Sequence, residues 1–269
     1  MQQTTFDSSK SWISFSVEGL QNISVYGEAY SFKTTNDDLI EEVEILQENN
    51  CISNIRCILK NKNADSANII ELVHTKIKKF LVNLYGNFQP TLCNFKTQCS
   101  GRSLPFPSNT NSLTIEESIG FSTEVTVSMQ YKIETFKNLF DSKFLSPDKE
   151  DDYMLLYHTM TIDNIVTRYL MLYEILLSHV PASNPKKHLQ TDVTDYIKNV
   201  YNPQHPTEQI GFHQTRKPGK LYDEDDITYF RNLLGHNDSS SAVKVNDTTI
   251  LEHCNKLTRI LYFKLTKEN

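Results

Sequence analysis

The sequence predicts an α+β protein made of two domains. An N-terminal α+β domain with a small sheet and one amphipathic helix is expected over residues 1–140, and an all-α helical bundle over residues 145–269. Three observations support this division. Short runs of alternating apolar and polar residues dominate the first half, apolar residues spaced by three and four dominate the second, and 269 residues are enough for two modest domains.

Composition limits the function classes. The chain has 38% hydrophobic and 22% charged residues and a formal charge of −6, which is typical of a soluble globular protein. A protein that coats nucleic acid nonspecifically would usually be basic, so any contact with RNA is expected to be local. Neither a signal peptide nor a run of about 18 apolar residues is evident, so we expect a cytoplasmic protein without membrane contact.

The first half reads mainly as strands. Residues 11–20 and 23–32 alternate in polarity around Gly19 and Asn22, as the two strands of a hairpin would. Residues 39–47 and 54–62 are expected to extend the same sheet, although the former are also compatible with a helix.

One helix interrupts this pattern. From Ser66 apolar residues recur every three or four positions, with Asp65 or Ser66 as the N-cap and Gly86 as the C-terminal stop. Strand character returns over residues 113–131. The first half is therefore predicted to combine a sheet with a helix.

The second half reads as helices. Residues 146–181, from the Ser-Pro pair to Pro181, predict one long helix, or two with a break near Thr161. A shorter helix over 191–201 and a loop over 202–220 follow. The next helix is expected to begin at Asp223, with acids in its first turn. The last is expected to begin at Asp247, with apolar residues at spacings of four, three and four: Ile250, Cys254, Leu257 and Leu261.

The helix expected from Asp223 has two distinct faces. At 100° per residue, one arc forms the core face and the opposite arc carries polar residues with a glycine among them. The core arc contains Ile227, Phe230, Leu233 and Leu234, and the opposite arc contains Arg231, Gly235, Asn232 and His236. Because Gly235 has no side chain, the polar face has a gap where a phosphate, or the same face of a second subunit, can approach the backbone.

The residue types on that face suit RNA cleavage. Arginine presents a planar fork to phosphate oxygens, and histidine exchanges protons near neutral pH. The ribose 2′-OH of RNA is its own nucleophile, so the reaction needs proton transfer and charge stabilisation and does not require a metal ion. We therefore take Arg231 and His236 as the candidate reactive pair.

The segment Arg231-Asn232-Leu-Leu-Gly-His236 is an R-N-x3-H sequence on a late helix, and it resembles the R-x4-6-H motif of the HEPN superfamily. Arg168 to Leu177, "RYLMLYEILL", is similar to an early helix of that family, with Glu174 following the aromatic and leucine positions. The resemblance covers residues 145–269 and is nearest to the HEPN domains of phage-defence and abortive-infection proteins.

The resemblance implies a metal-independent endoribonuclease toxin without a cofactor, acting on RNA as a homodimer that joins two motifs in one cleft. Arg231 and His236 would be the catalytic pair and Asn232 an orienting residue, with Gly235 and Glu174 in support; Glu174 is expected to pair with Arg231. Family members controlled through a tyrosine two residues after the histidine differ from this chain, which has an aspartate there. Control by the N-terminal domain or by a regulatory partner protein is the more natural expectation.

Other interpretations stay open. The second half fits a catalytically inactive HEPN-like module that binds RNA or a partner, or a bundle in which the motif is only structural. The acids at 223–226 are better helix caps than Mg²⁺ ligands, because consecutive helical residues point in different directions. The C-x5-C spacing of Cys51/Cys57 and Cys93/Cys99 is too wide for a typical zinc knuckle and favours buried cysteines.

A basic stretch in the predicted loop is the last candidate. Arg216, Lys217 and Lys220 lie there with several histidines and lysines, among them Lys187 and His188 slightly earlier in the chain. They form either a solvated surface or a weak RNA-binding rim.

Overall fold

The computed structural model describes residues 10–20, 23–27, 29–35, 37–60, 67–88, 96–103, 129–141, 150–217, 220–235 and 246–267. Their contacts divide the chain into two compact units, Met1–Tyr157 and His158–Asn269. The division falls inside helix α3, Glu150–Met160, whereas the change in sequence character placed it between residues 140 and 145. Both sheets and helices are present, so the protein is α+β.

The first unit is built on a five-stranded antiparallel sheet. Its strand order is β3-β4-β5-β1-β6. The strands are β1 Trp12–Glu18, β3 Ser31–Lys33, β4 Ile40–Glu48, β5 Cys51–Leu59 and β6 Lys96–Ser103. Strands β4 and β5 are joined by Asn49 and Asn50, both with positive φ (52° and 61°), which is the two-residue turn that asparagine favours in hairpins.

The expected pairing of the first two strands is wrong. Residues 11–20 and 23–32 were predicted to form a hairpin, but β1 pairs with β5 and β6. Strand β2, Ile23–Tyr26, instead pairs in parallel with β7, Met129–Lys132, more than 100 residues later. Alternation of polarity identifies a strand but not its partner, so the sequence could not show this.

Two helices accompany this sheet. Helix α1, Ala67–Phe88, contacts β1 and β6 through a buried stripe of Val73, Ile77, Leu81 and neighbours, as the spacing predicted. It runs two residues past Gly86, so that glycine does not end it. Helix α2, Ile133–Asp141, was not predicted and packs its Phe136 against Phe88 of α1. The predicted caps Asp65 and Ser66, and residues 113–128 of the predicted strand, lie outside the described residues.

The second unit is mainly helical. The predicted long helix is divided into two helices, α3 and α4, and α4 spans Ile165–His179. The side chain of Asn164 caps the start of α4, where it accepts a hydrogen bond from the backbone N–H of Thr167. The break spans residues 161–164, near the predicted Thr161. Helix α5, Gln190–Tyr196, continues through a π-helical turn, Ile197–Tyr201, into the short α6, Asn202–Gln204. Ser146 and Pro147, the Ser-Pro pair at which the long helix was expected to begin, lie outside the described residues.

A β-hairpin lies where a loop and a helix start were expected. Strands β8, Phe212–Lys217, and β9, Lys220–Asp225, pair antiparallel. The predictions of a loop over 202–220 and of a helix beginning at Asp223 are therefore wrong, and the C-terminal half is not all-α. Helix α7 begins three residues later, at Asp226, and runs to Gly235.

The core of the second unit is formed where α4, α7 and α8 meet. Helix α8, Asp247–Lys267, begins at the predicted residue and packs along α4. Its predicted apolar stripe is buried: Ile250, Cys254, Leu257 and Leu261. Of the core face expected on α7, Ile227 and Phe230 are buried, but Leu233 and Leu234 are only half-buried. In the described part of the chain, no helix combines the length and the apolar character needed to cross a membrane.

Candidate functional site

The site is organised by the start of helix α7. Asp225 is fully buried and caps the helix, because its Oδ1 accepts from the Thr228 N–H at 2.9 Å. Its Oδ2 accepts from the Thr194 hydroxyl of α5 at 2.7 Å. Burial raises the pKa of this carboxyl above its ordinary value. The cap fixes where α7 begins and therefore which way the following residues point.

Asn232 uses its whole amide in contacts within the second unit. Its Oδ1 accepts from Gln190 Nε2 at 2.9 Å and from Arg231 Nη1 at 3.4 Å. Its Nδ2 donates to Glu224 Oε1 at 2.7 Å and to Gln190 Oε1 at 3.3 Å. Glu224 is itself only 4% exposed. Asn232 thus ties α7 to α5 and β9, and its amide has no donor or acceptor left for a substrate.

Arg231 points in another direction. Its Nη2 donates to Glu174 Oε1 of α4 at 3.3 Å, so the structure contains the pair expected from the sequence. The guanidinium also lies 5.8 Å from the ring centre of Tyr173, whose hydroxyl bonds Thr228. Its Nε is buried and has no hydrogen-bond partner among the described residues. Both terminal nitrogen atoms of Arg231 are therefore held by neighbouring side chains, whereas its Nε–H donates to no acceptor among the described residues.

A cleft of about 440 Å³ opens beside Arg231 within the second unit. Its walls come from α4, the segment before α5, α5 itself, β9 and α7. The lining residues that bear on chemistry are Glu174, Lys187, His188, Tyr222, Glu224 and Arg231. This volume lies within the range of small-molecule sites in proteins.

The segment bearing Lys187 and His188 is fixed at both ends. Asp192 of α5 accepts from the Ser183 N–H at 3.1 Å and from the Leu189 N–H at 2.7 Å. Between them, Asn184 accepts from the Lys186 N–H at 2.9 Å in a turn that contains Pro185. The backbone that presents Lys187 and His188 to the cleft is therefore ordered by side-chain contacts.

Of the remaining predicted residues, Gly235 does not line this cleft. Gly235 is exposed at the end of α7, and among the described residues a Cβ placed there would approach only Arg231 Nη1, at 3.8 Å. His236 lies outside the described residues. Arg216, Lys217 and Lys220 belong to the end of the β8–β9 hairpin farthest from α7, and their side chains lie outside the described part.

The sequence indicates Lys187 and His188 only as members of a basic surface, and it does not indicate a role for Gln190. The available signal was the stretch Asn184-Pro-Lys-Lys-His188, in which a turn-forming Asn-Pro precedes three basic residues. Nothing in the sequence shows that this turn faces α7.

Metal ligands are not clustered in the described ranges, where no group of three or more His, Cys, Asp or Glu is suited to hold an ion. Of the acids at 223–226, Asp225 caps α7, and Asp226 accepts from the Gly211 N–H and pairs with His213. Of the four cysteines within these ranges, Cys57 and Cys254 are buried and Cys51 and Cys99 are half-buried, and Cys93 lies outside the described residues. Burial raises the pKa of Cys51 and Cys99, so their thiols are less readily ionised.

Neither a protein-family model, nor a curated protein, nor a solved structure matches the chain. Support for a function therefore comes from the residues around the cleft and from the R-N-x3-H sequence.

Proposed function

We propose that the second unit is a metal-independent endoribonuclease of the HEPN type, acting as a homodimer in phage defence or as a toxin. Arg231 would stabilise the phosphate and His236 would transfer protons. The observation that carries the proposal is the position of Arg231: its side chain is 30% exposed and lines an open cleft. A phosphate oxygen is the kind of acceptor that a guanidinium group binds well.

The reaction uses groups that this chain and RNA supply. The ribose 2′-OH attacks the adjacent phosphorus, its proton passes to an imidazole, and the P–O5′ bond breaks as the 5′-oxygen receives a proton. The products are a 2′,3′-cyclic phosphate and a 5′-OH end. A positioned histidine typically contributes about 10²–10⁴-fold to such a step, and an arginine at the phosphate adds charge stabilisation.

Glu174 and Asn232 have positioning roles in this proposal. Glu174 holds one terminal nitrogen of Arg231, and Asn232 Oδ1 accepts from the other. Asn232 therefore acts through Arg231 and through the packing of α7, rather than on the substrate. The N-terminal unit and a partner protein remain candidates for regulation.

A second candidate is a catalytically inactive module that binds RNA or a partner protein. Two contacts favour it. Glu174 already offsets part of the charge of Arg231, and the Asn232 amide is fully used by neighbouring side chains. A surface with these contacts can recognise a phosphate without driving its cleavage.

Cleavage of total RNA by the full chain in EDTA separates the two candidates. The endoribonuclease proposal predicts fragments with 2′,3′-cyclic phosphate ends, lost in Arg231→Ala and His236→Ala at unchanged melting temperature. Equal fragment yields from wild type and both variants would refute it. Binding of RNA without any cleavage would favour the inactive module.

Gly235→Ala tests the gap separately from folding. Among the described residues, a Cβ at this position would approach only Arg231 Nη1, at 3.8 Å, and alanine is a better helix former than glycine by about 0.5–1 kcal/mol, so the stability should be kept or slightly increased. If a phosphate approaches the backbone there, cleavage falls although the protein is no less stable. Full activity in Gly235→Ala would show that the gap is not used.

A further inference from the structure

Two residues that line the cleft beside Arg231 each have a nitrogen atom without a hydrogen-bond partner among the described residues. These atoms, His188 Nδ1 and Arg231 Nε, are both buried. Buried polar atoms are nearly always paired in proteins, by protein groups, water or a ligand. An arginine Nε–H can only donate, so its missing partner is an acceptor.

The charged side chains that line the cleft further restrict the kind of ligand that it can bind. Lys187, His188 and Arg231 bring basic groups, while Glu174, Asp223 and Glu224 bring carboxylates. A bare polyanion would be repelled by the carboxylates, and a simple cation by the basic groups. A ligand with one anionic group and several hydroxyl or amino donors satisfies both sets.

The Tyr222 ring on β9 adds an aromatic surface to the same cleft. Aromatic side chains bind nucleobases by stacking, at about 1–3 kcal/mol per base. Phosphate, hydroxyl donors and a flat ring occur together in a ribonucleotide. The volume of about 440 Å³ accommodates one such unit and excludes a folded RNA.

We infer that this cleft binds a single phosphorylated ribonucleoside unit. Lys187, His188 and Arg231 contact the phosphate, the ribose hydroxyls donate to Glu174 or Glu224, and the base lies against Tyr222. The inference deepens the proposed function, on which it rests through the shared Arg231, by placing one nucleotide of the substrate on the Lys187–His188 segment. The unit is either part of an RNA chain or a free nucleotide.

The test measures binding of two probes to the full chain: a short oligoribonucleotide in which a methylene group replaces each bridging 5′-oxygen, and a nucleoside 3′-monophosphate. The resulting P–C bond does not break, so binding is measured without cleavage while every 2′-hydroxyl donor is kept. The variants are Lys187→Gln and His188→Gln. Lys186→Gln is the matched control, since Lys186 makes the same charge change one residue earlier but does not line the cleft.

Lys187→Gln is expected to weaken oligonucleotide binding about three- to fivefold, the scale of an exposed charge pair. The slope of log K against log salt should fall by about 0.7, the value for one phosphate contact on a single strand. His188→Gln should weaken binding by up to about tenfold, because His188 is less exposed than Lys187. Lys186→Gln should match wild type. If both cleft variants also match wild type, the inference is wrong.

The two probes distinguish the sources of the nucleotide. Cleft-dependent binding of the oligonucleotide supports an RNA unit, and cleft-dependent binding of the monophosphate alone supports a free nucleotide. RNA cleavage measured in parallel separates the two proposals. Cleft-dependent binding without cleavage keeps this inference and refutes the ribonuclease, whereas cleavage that needs Arg231 but neither Lys187 nor His188 does the reverse.

Discussion

Replacing Asn232 with alanine should destabilise the protein by about 2.5–6 kcal/mol. The variant loses the bond to the Glu224 carboxylate, and bonds to charged groups contribute about 1.5–3 kcal/mol. It also loses the exchange with the Gln190 amide, worth about 0.5–1.5 kcal/mol per bond. Glu224 is buried, so losing a donor there costs more than at a surface.

Asn232→Asp sharpens the test because it keeps the size of the side chain. Its carboxylate would replace a donor that now lies 2.7 Å from Glu224 Oε1, so attraction becomes repulsion between like charges. The aspartate can still accept from Gln190 Nε2. We expect Asn232→Asp to be at least as destabilising as Asn232→Ala at neutral pH.

Urea unfolding of the wild type and both variants measures these free energies. A loss below about 0.5 kcal/mol in Asn232→Ala, within the range of ordinary surface substitutions, would refute the view that this amide connects α7 to α5 and β9. Cleavage assayed on the folded fraction gives the second readout. If the activity per folded molecule disappears while stability is unchanged, Asn232 acts on the substrate and not on the packing.

Three further outcomes follow from the contacts of the second unit. Asp225→Ala should lower the free energy of unfolding in urea by about 1–3 kcal/mol, because it removes the helix cap and the acceptor for Thr194. Asp225→Asn keeps the cap and removes the cost of burying a charge, which raises the pKa of this carboxyl. If Asp225→Asn lowered the free energy of unfolding as much as Asp225→Ala, the explanation would be wrong. Burial lowers the pKa of His253 in the folded protein, so as the pH falls the unfolded chain takes up the proton first, near pH 6.5. The contribution of His253 to the free energy of unfolding is therefore complete above that pH and is lost as the pH falls below it. His253→Phe, which can keep the stacking on Phe230 (ring centres 3.9 Å apart), should show a smaller loss of unfolding free energy between pH 7 and pH 5. Glu174→Ala should change the free energy of unfolding by less than about 1 kcal/mol, since the Glu174 side chain is 57% exposed, but it should lower the rate of RNA cleavage. If RNA affinity, cleavage and stability were all unchanged, Glu174 would have no role in positioning Arg231.

The elements that the sequence predicts well are those that local pattern determines. Helix α8 begins at Asp247 and buries the four apolar residues whose spacing predicted it. Strands β4 and β5 form a hairpin whose turn, Asn49-Asn50, has the residues that tolerate positive φ. In each case, one stretch of chain contains the whole signal.

The elements that were missed depend on distant partners or on competing local signals. Strand β2 pairs with β7 across more than 100 residues, and periodicity does not encode that choice. In "YDEDD" the acids resemble a helix start, yet Asp223 and Glu224 belong to β9 and only Asp225 caps α7. Pairing with β8 outweighs the local preference there. The Pro218-Gly219 pair, which lies between the two strand segments in the sequence, was the available sign of a turn.

The candidate site was predictable only in part, for a geometric reason. The Glu174–Arg231 pair was expected from the resemblance of the Glu174 helix to an early helix of the HEPN superfamily, and the structure contains it. The approach of Lys187 and His188 to Arg231 needs the Asp192 contacts to Ser183 and Leu189. Those contacts depend on how α5 follows α4, which no short motif records.

Arg231 and Asn232 are neighbours in the R-N-x3-H sequence, but they do different work. Successive side chains on a helix point about 100° apart. Arg231 therefore points toward Glu174 and the cleft, whereas Asn232 points toward Gln190 and Glu224. A motif of this kind therefore combines a residue that meets a ligand with a residue that fixes the helix. Loss of function at Asn232 alone would not identify a catalytic group. Changes at Arg231, Lys187 and His188, which line the cleft, are the ones that report on the chemistry directly.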